Sequence, residues 1–103
     1  MTRLFLSVIA LLFCCSGVAG CVGRLASHDI FVNQAHYWIG KSILALRRNS
    51  GPSRGVRQIS NGHMEEEWAH GARCREFFEY DPATNIVVKW RFTGLPADCI
   101  GIL

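Results

Sequence analysis

The sequence predicts an α+β fold in which two short N-terminal helices pack on an antiparallel three- to four-stranded meander, stapled by one disulfide. Three observations predict it. Apolar residues recur at helical spacing before Gly51-Pro52 and switch to strand spacing after Gly55. Turn signals at Asn61-Gly62, Gly71-Ala72 and Asp81-Pro82-Ala83-Thr84-Asn85 cut the second half into strand-length pieces. Of five cysteines, Cys74 and Cys99 are an even pair once those near the amino end are assigned.

The amino end has the layout of a signal peptide. Arg3 supplies the positive charge, Leu4 to Phe13 is a ten-residue apolar run, and Cys14 to Gly20 is a small-residue stretch. Val18-Ala19-Gly20-Cys21 then reads as a lipobox: a branched apolar residue and two small ones fit a signal-peptidase groove, and the Cys21 thiol waits to be acylated. An ordinary secretory signal, which also tolerates Val18 and Gly20, and an uncleaved anchor are the competing readings. The anchor needs about 20 strongly apolar residues, whereas the last third here holds Ser16, Gly17, Ala19, Gly20 and Gly23. Cys21 favours the lipoprotein. On that reading residues 1–20 are removed, 21–28 form a tether, and 29–103 form one small domain.

The elements follow in order. Asp29 to Ile39 carries Ile30, Phe31, Ala35, Trp38 and Ile39 along one helical face, and Gly40 breaks it. Ser42 caps a second helix to about Asn49, with Ile43, Leu44 and Leu46 as its apolar stripe and Arg47 and Arg48 in its last turn. Gly51-Pro52 ends it. Val56 to Ser60 and His63 to His70 flank Asn61-Gly62, a strong hairpin signal. Arg73 to Tyr80 is the next strand and Ile86 to Phe92 the last. In that last strand Ile86, Val88, Trp90 and Phe92 form the apolar side, opposite Val87, Lys89 and Arg91. Met64, Glu66 and Trp68 share one side of their strand without declaring which way it points. Gly94 to Leu103 is a tail that Cys99 pins to Cys74. Closing a loop of that length stabilises a fold by roughly 3–4 kcal/mol, and a core of 83 residues is marginal without such a staple. Two buried free thiols are the alternative.

Composition narrows the function classes. With Arg3 removed, ten of the 11 Lys/Arg face eight Asp/Glu, a net +2 that is too small for a dedicated nucleic-acid binder. Gly40-Lys41-Ser42 lacks the glycine five residues earlier that a phosphate loop requires, since Ala35 stands there. His63 and His70 lie seven apart on a strand, so no metal site is expected of them. Glu76 and Glu79 fall on opposite faces, which argues against a paired-carboxylate mechanism. No nucleophile elbow is present, and neither enzyme nor cofactor is expected. Aromatic residues are abundant, and adjacent Phe77 and Phe78 cannot both point inward. One of them therefore belongs to a surface, and with Arg47, Arg48, Arg54 and Arg57 it makes a candidate partner-binding region.

The lipobox at Val18–Cys21, Gly40-x-Ser42 opening a helix, Gly51-Pro52 closing it, Trp68, Phe77/Phe78 and the Ile86–Trp90 strand together resemble the SmpA/OmlA-type small lipoproteins, accessory to outer-membrane β-barrel assembly. The likeness covers residues 36 to 92. It departs at Asn49-Ser50-Gly51-Pro52, where Leu-Gly-x-Pro is usual, and in the Cys74/Cys99 pair. The resemblance implies an outer-membrane address and a scaffold role, and Val22 after the lipid-bearing cysteine is similar to outer-membrane sorting patterns. The expected function is a membrane-anchored, periplasm-facing, non-catalytic binding or scaffold module for an envelope protein. The alternative is a small inhibitor or ligand-binding lipoprotein of the envelope.

Overall fold

The computed structural model describes residues 25–103; the signal segment 1–20 and Cys21 lie outside the described residues. Strand β1 (Ala26–Ser27) leads directly into helix α1 (His28–His36). Ser27 makes that junction: its backbone is extended, and its hydroxyl accepts the Ile30 N–H at 3.1 Å. Residues 26–28, expected at the end of the tether, are thus part of the fold. Helix α1 stops three residues before the expected Ile39, and Gly40 turns the chain with φ 89°. Helix α2 (Ile43–Ser50) begins at the expected cap, where the Ser42 hydroxyl accepts the Leu44 N–H, and ends at Gly51 with φ 77°.

The second half is an antiparallel meander of β2 (Gly55–Gln58), β3 (Met64–Ala69), β4 (Arg75–Asp81) and β5 (Ile86–Thr93), paired in that order. Asn61 and Gly62 both take positive φ at the β2–β3 connection, but in place of the expected two-residue turn the chain makes a 3-10 turn over Ser60–Gly62, and Gln58 pairs with Met64 in a register centred on Asn61. Gly40 and Lys41 bond Val87 through their backbones, so the start of β5 is not a bare edge. A two-stranded ribbon completes the fold: β6 (Gly101–Ile102) pairs with β1, matching Ala26 to Ile102 and Ser27 to Gly101. Gly101 is required there, because a Cβ would sit 2.7 Å from the Phe31 nitrogen and 2.5 Å from Gln34 Oε1.

Both helices bury their apolar stripes on one face of the meander. Ala35, Ile43 and Leu46 meet Trp68, Phe78, Tyr80 and Val87 in the main core. A second cluster joins Phe31 to Cys74 and Cys99, which are disulfide-bonded with Cα atoms 5.4 Å apart. One sequence expectation is corrected. Tyr80 pairs with Val87 while Glu79 pairs with Lys89, leaving Val88 as the additional residue of a β-bulge. The bulge reverses the alternation, so Val87 is fully buried and Val88 is exposed, while Trp90 and Phe92 remain on the helix side.

Candidate functional site

The helices cover only one sheet face. The other carries two cross-strand rows, Arg57–Glu65–Glu79–Lys89 and Glu67–Phe77–Arg91. Glu65, only 6 % exposed, accepts hydrogen bonds from both Arg91 (2.9 and 3.0 Å) and Arg57 (2.8 and 3.1 Å). The Arg91 bonds, reinforced by Arg57, hold the Glu65 carboxyl below the usual carboxylate range against the opposing effect of burial. The same bond to Glu65 raises Arg91 further above neutrality. The Arg91 guanidinium also stacks on Phe77, 3.8 Å from the ring centroid. Glu67 receives Arg54 and Arg75 at 3.4 and 3.3 Å, and His63 Nδ1 lies 2.6 Å from Glu79 Oε2. A depression of about 180 Å³ opens beside Phe77, lined by Val56, Arg57, Glu65 and Glu67.

The residues expected at a partner surface therefore separate. Phe77 is on the open face, half-buried beneath Arg91, whereas Phe78 is 3 % exposed and belongs to the core. Arg54 and Arg57 lie on the open face, each paired to a β3 glutamate. Arg47 is on the helix side: its Nε lies 2.9 and 3.0 Å from the two Glu66 carboxylate oxygens, and it donates to the Tyr80 hydroxyl at 3.1 Å. The bond to Glu66 raises the Arg47 pKa. Exposed Arg48 makes no ion pair among the described residues. Sequence reasoning missed Arg91 and Glu65 as members of this surface. The cationic stripe of the last strand was the available signal; which strand would supply its counter-charges was not.

On the helix side a cleft of about 780 Å³ lies between α1, the end of α2 and the sheet. Phe31, Ala35, Leu46, Trp68 and Phe78 line it, and each is at most 5 % exposed. His70 and Glu76 enter from the sheet, His70 Nδ1 lying 3.5 Å from Glu76 Oε2. Burial raises the Glu76 carboxyl above its ordinary range, opposed by the nearby His70 and by the Trp90 indole. The buried Trp90 Nε1 has no hydrogen bond of acceptable geometry. Burial, not the indole, therefore sets the direction in which the Glu76 carboxyl is shifted.

No protein-family model, no curated protein and no solved structure matches this chain. Among the described residues no three His, Cys, Asp or Glu side chains converge as a metal site. No described helix is long and apolar enough to cross a membrane. The two histidine–carboxylate pairs, His63–Glu79 and His70–Glu76, come from opposite sheet faces and do not form one constellation.

Proposed function

We propose that the chain is a non-catalytic binding module of the cell envelope, lipid-anchored at Cys21 on the periplasmic side of the outer membrane. It holds an envelope protein through the open sheet face. The observation that carries this reading is Phe77: an aromatic ring at the centre of an uncovered sheet face, capped by Arg91 and bordered by Arg57 and Arg54. Aromatic and arginine side chains set in a charged rim are the composition of an interface hot spot. A partner that supplies an apolar group takes the place of the Arg91 stack on Phe77. One that supplies a carboxylate competes with Glu65 for Arg57 and Arg91. The resemblance to SmpA/OmlA-type lipoproteins supports the scaffold role by analogy of fold signals alone.

Crosslinking in the native envelope followed by mass spectrometry tests the proposal. The expected result is a reproducible protein partner, recovered with the natural chain and lost with Phe77→Ala or Arg91→Glu. Absence of any such partner refutes the scaffold reading. In parallel, Cys21→Ser should abolish palmitate labelling and membrane retention; persistent labelling removes the anchor. The helix-side cleft favours one second reading, a ligand-binding lipoprotein, since about 780 Å³ is within the usual range for small-molecule sites. A change in Trp38 and Trp68 fluorescence on addition of envelope lipid or metabolite extracts would support that reading over the first.

A further inference from the structure

Among the described residues ten large apolar side chains are exposed, and four of them, Leu25, Ile100, Ile102 and Leu103, lie in or beside one small ribbon. Their exposures are 59, 39, 51 and 72 %. Single exposed apolar residues are ordinary, but a cluster indicates a contact surface. The ribbon is held rigidly. Leu103 donates its N–H to the Leu25 carbonyl at 3.1 Å, the Gln34 amide donates to the Ile102 carbonyl, and a histidine nitrogen lies at each of the Cys99 and Ile100 carbonyls.

Gly101 packs against the α1 backbone at Phe31, so strand alternation turns Ile100 and Ile102, with Ala26 opposite, away from the domain. Neither residues 25–27 nor residues 99–103 include a charged side chain. Burying the outward side at Ile100 and Ile102 therefore desolvates no ionic side chain of the ribbon. The ribbon also starts four residues after Cys21. A fully extended chain of that length reaches about 14 Å, so the start of the ribbon stays within that distance of Cys21 and the ribbon can touch the bilayer whenever Cys21 is acylated.

From these placements we infer that the β1–β6 ribbon is a second membrane contact, with Ile100 and Ile102 seated in the acyl–headgroup boundary of the bilayer that holds the anchor, while Leu25 and Leu103, in phase with Gly101, lie on the ribbon's other side. The inference rests on acylation of Cys21 and adds an orientation to it. The domain is fixed against the membrane at two points, so it does not swing freely on its tether. Insertion of apolar side chains to this depth is how interfacial elements bind bilayers.

The test uses the full acylated chain in vesicles of phosphatidylethanolamine and phosphatidylglycerol doped with a phospholipid bearing a photoactivatable acyl chain. Labelling within residues 99–103 should exceed that of the segments holding Leu44 and Val56 at least five-fold. The double change Ile100→Glu and Ile102→Glu should reduce it to their level. Leu103→Glu, on the other side of the ribbon, should leave the labelling unchanged. Thiol counting confirms that Cys74–Cys99 is intact in each variant. Acyl mass on Cys21 with no preferential labelling of residues 99–103 overturns the ribbon contact and leaves the anchor standing. A Cys21 without acyl mass overturns the anchor, and the two-point attachment with it. Crosslinking of the ribbon to a protein in native envelopes, with none to lipid, also overturns it.

Discussion

Removing the Arg47 side chain isolates the most exposed energetic joint of the fold, the pair that ties α2 to β3. Glu66 is 2 % exposed and faces the core among Trp68, Phe78 and Tyr80. Its two oxygens are held by one guanidinium, which also bonds Tyr80. Breaking a fully buried pair by deleting one partner costs about 3–5 kcal/mol. The Arg47 side chain keeps 38 % of its surface in water, and water entering the vacated space offsets part of that loss. The expected cost of Arg47→Ala is therefore about 2–3 kcal/mol. For a domain of this size that lowers the melting temperature by roughly 10–20 °C.

Denaturant unfolding of oxidised protein measures the cost. The double change Arg47→Met with Glu66→Leu should come within about 1 kcal/mol of the natural chain, because an apolar pair removes both desolvation costs. A deficit for Arg47→Ala below about 0.5 kcal/mol, or a double change as costly as the single one, would refute the assignment of Glu66 as a buried group held by Arg47.

The remaining predictions are simpler. Replacing Cys74 and Cys99 together by serine should cost about 3–4 kcal/mol, read as a lower denaturation midpoint that reductant no longer shifts; an unchanged midpoint would remove the stapling role. Glu76→Gln should stabilise the fold near neutral pH. Burial raises the Glu76 pKa, so the native carboxyl contributes fully below its unfolded pKa and that contribution is lost as the pH rises through the folded value. The advantage of glutamine should accordingly vanish in acid, and a constant difference across pH would count against it.

How much of this was legible depended on whether a residue's role is set by its neighbours in sequence or by those in space. The Ser42 cap and the Gly51-Pro52 stop act within four or five residues, and each was readable; the Asn61-Gly62 turn was readable in place but not in length, because its register is set by the strands beyond it. The disulfide was readable from parity and the expectation of export. The inward face of Met64-Glu65-Glu66-Glu67-Trp68 was not, because a glutamate in a core makes sense only once α2 delivers Arg47 to it. The phase of the last strand failed at Val88, since one additional residue inverts a period of two and leaves no local mark in a run of Ile-Val-Val. The β1–β6 ribbon is two residues wide on each side, too short to show any period. Phe77 was legible as the candidate surface aromatic of its pair only up to the choice between two rings; its cover by Arg91 comes from the next strand.

The ribbon also imposes an order on folding. It joins Ala26 to Ile102, the longest-range pairing among the described residues, whereas every partnership in the meander is between neighbouring strands. Local pairings close cheaply and early; distant ones wait for the chain between them. A polypeptide threaded amino end first through a narrow pore cannot seat α1 against β6 until residues 101 and 102 have emerged. Until then α1 lacks the strand its Phe31 turn packs against, so the amino end of the domain is the last part to close.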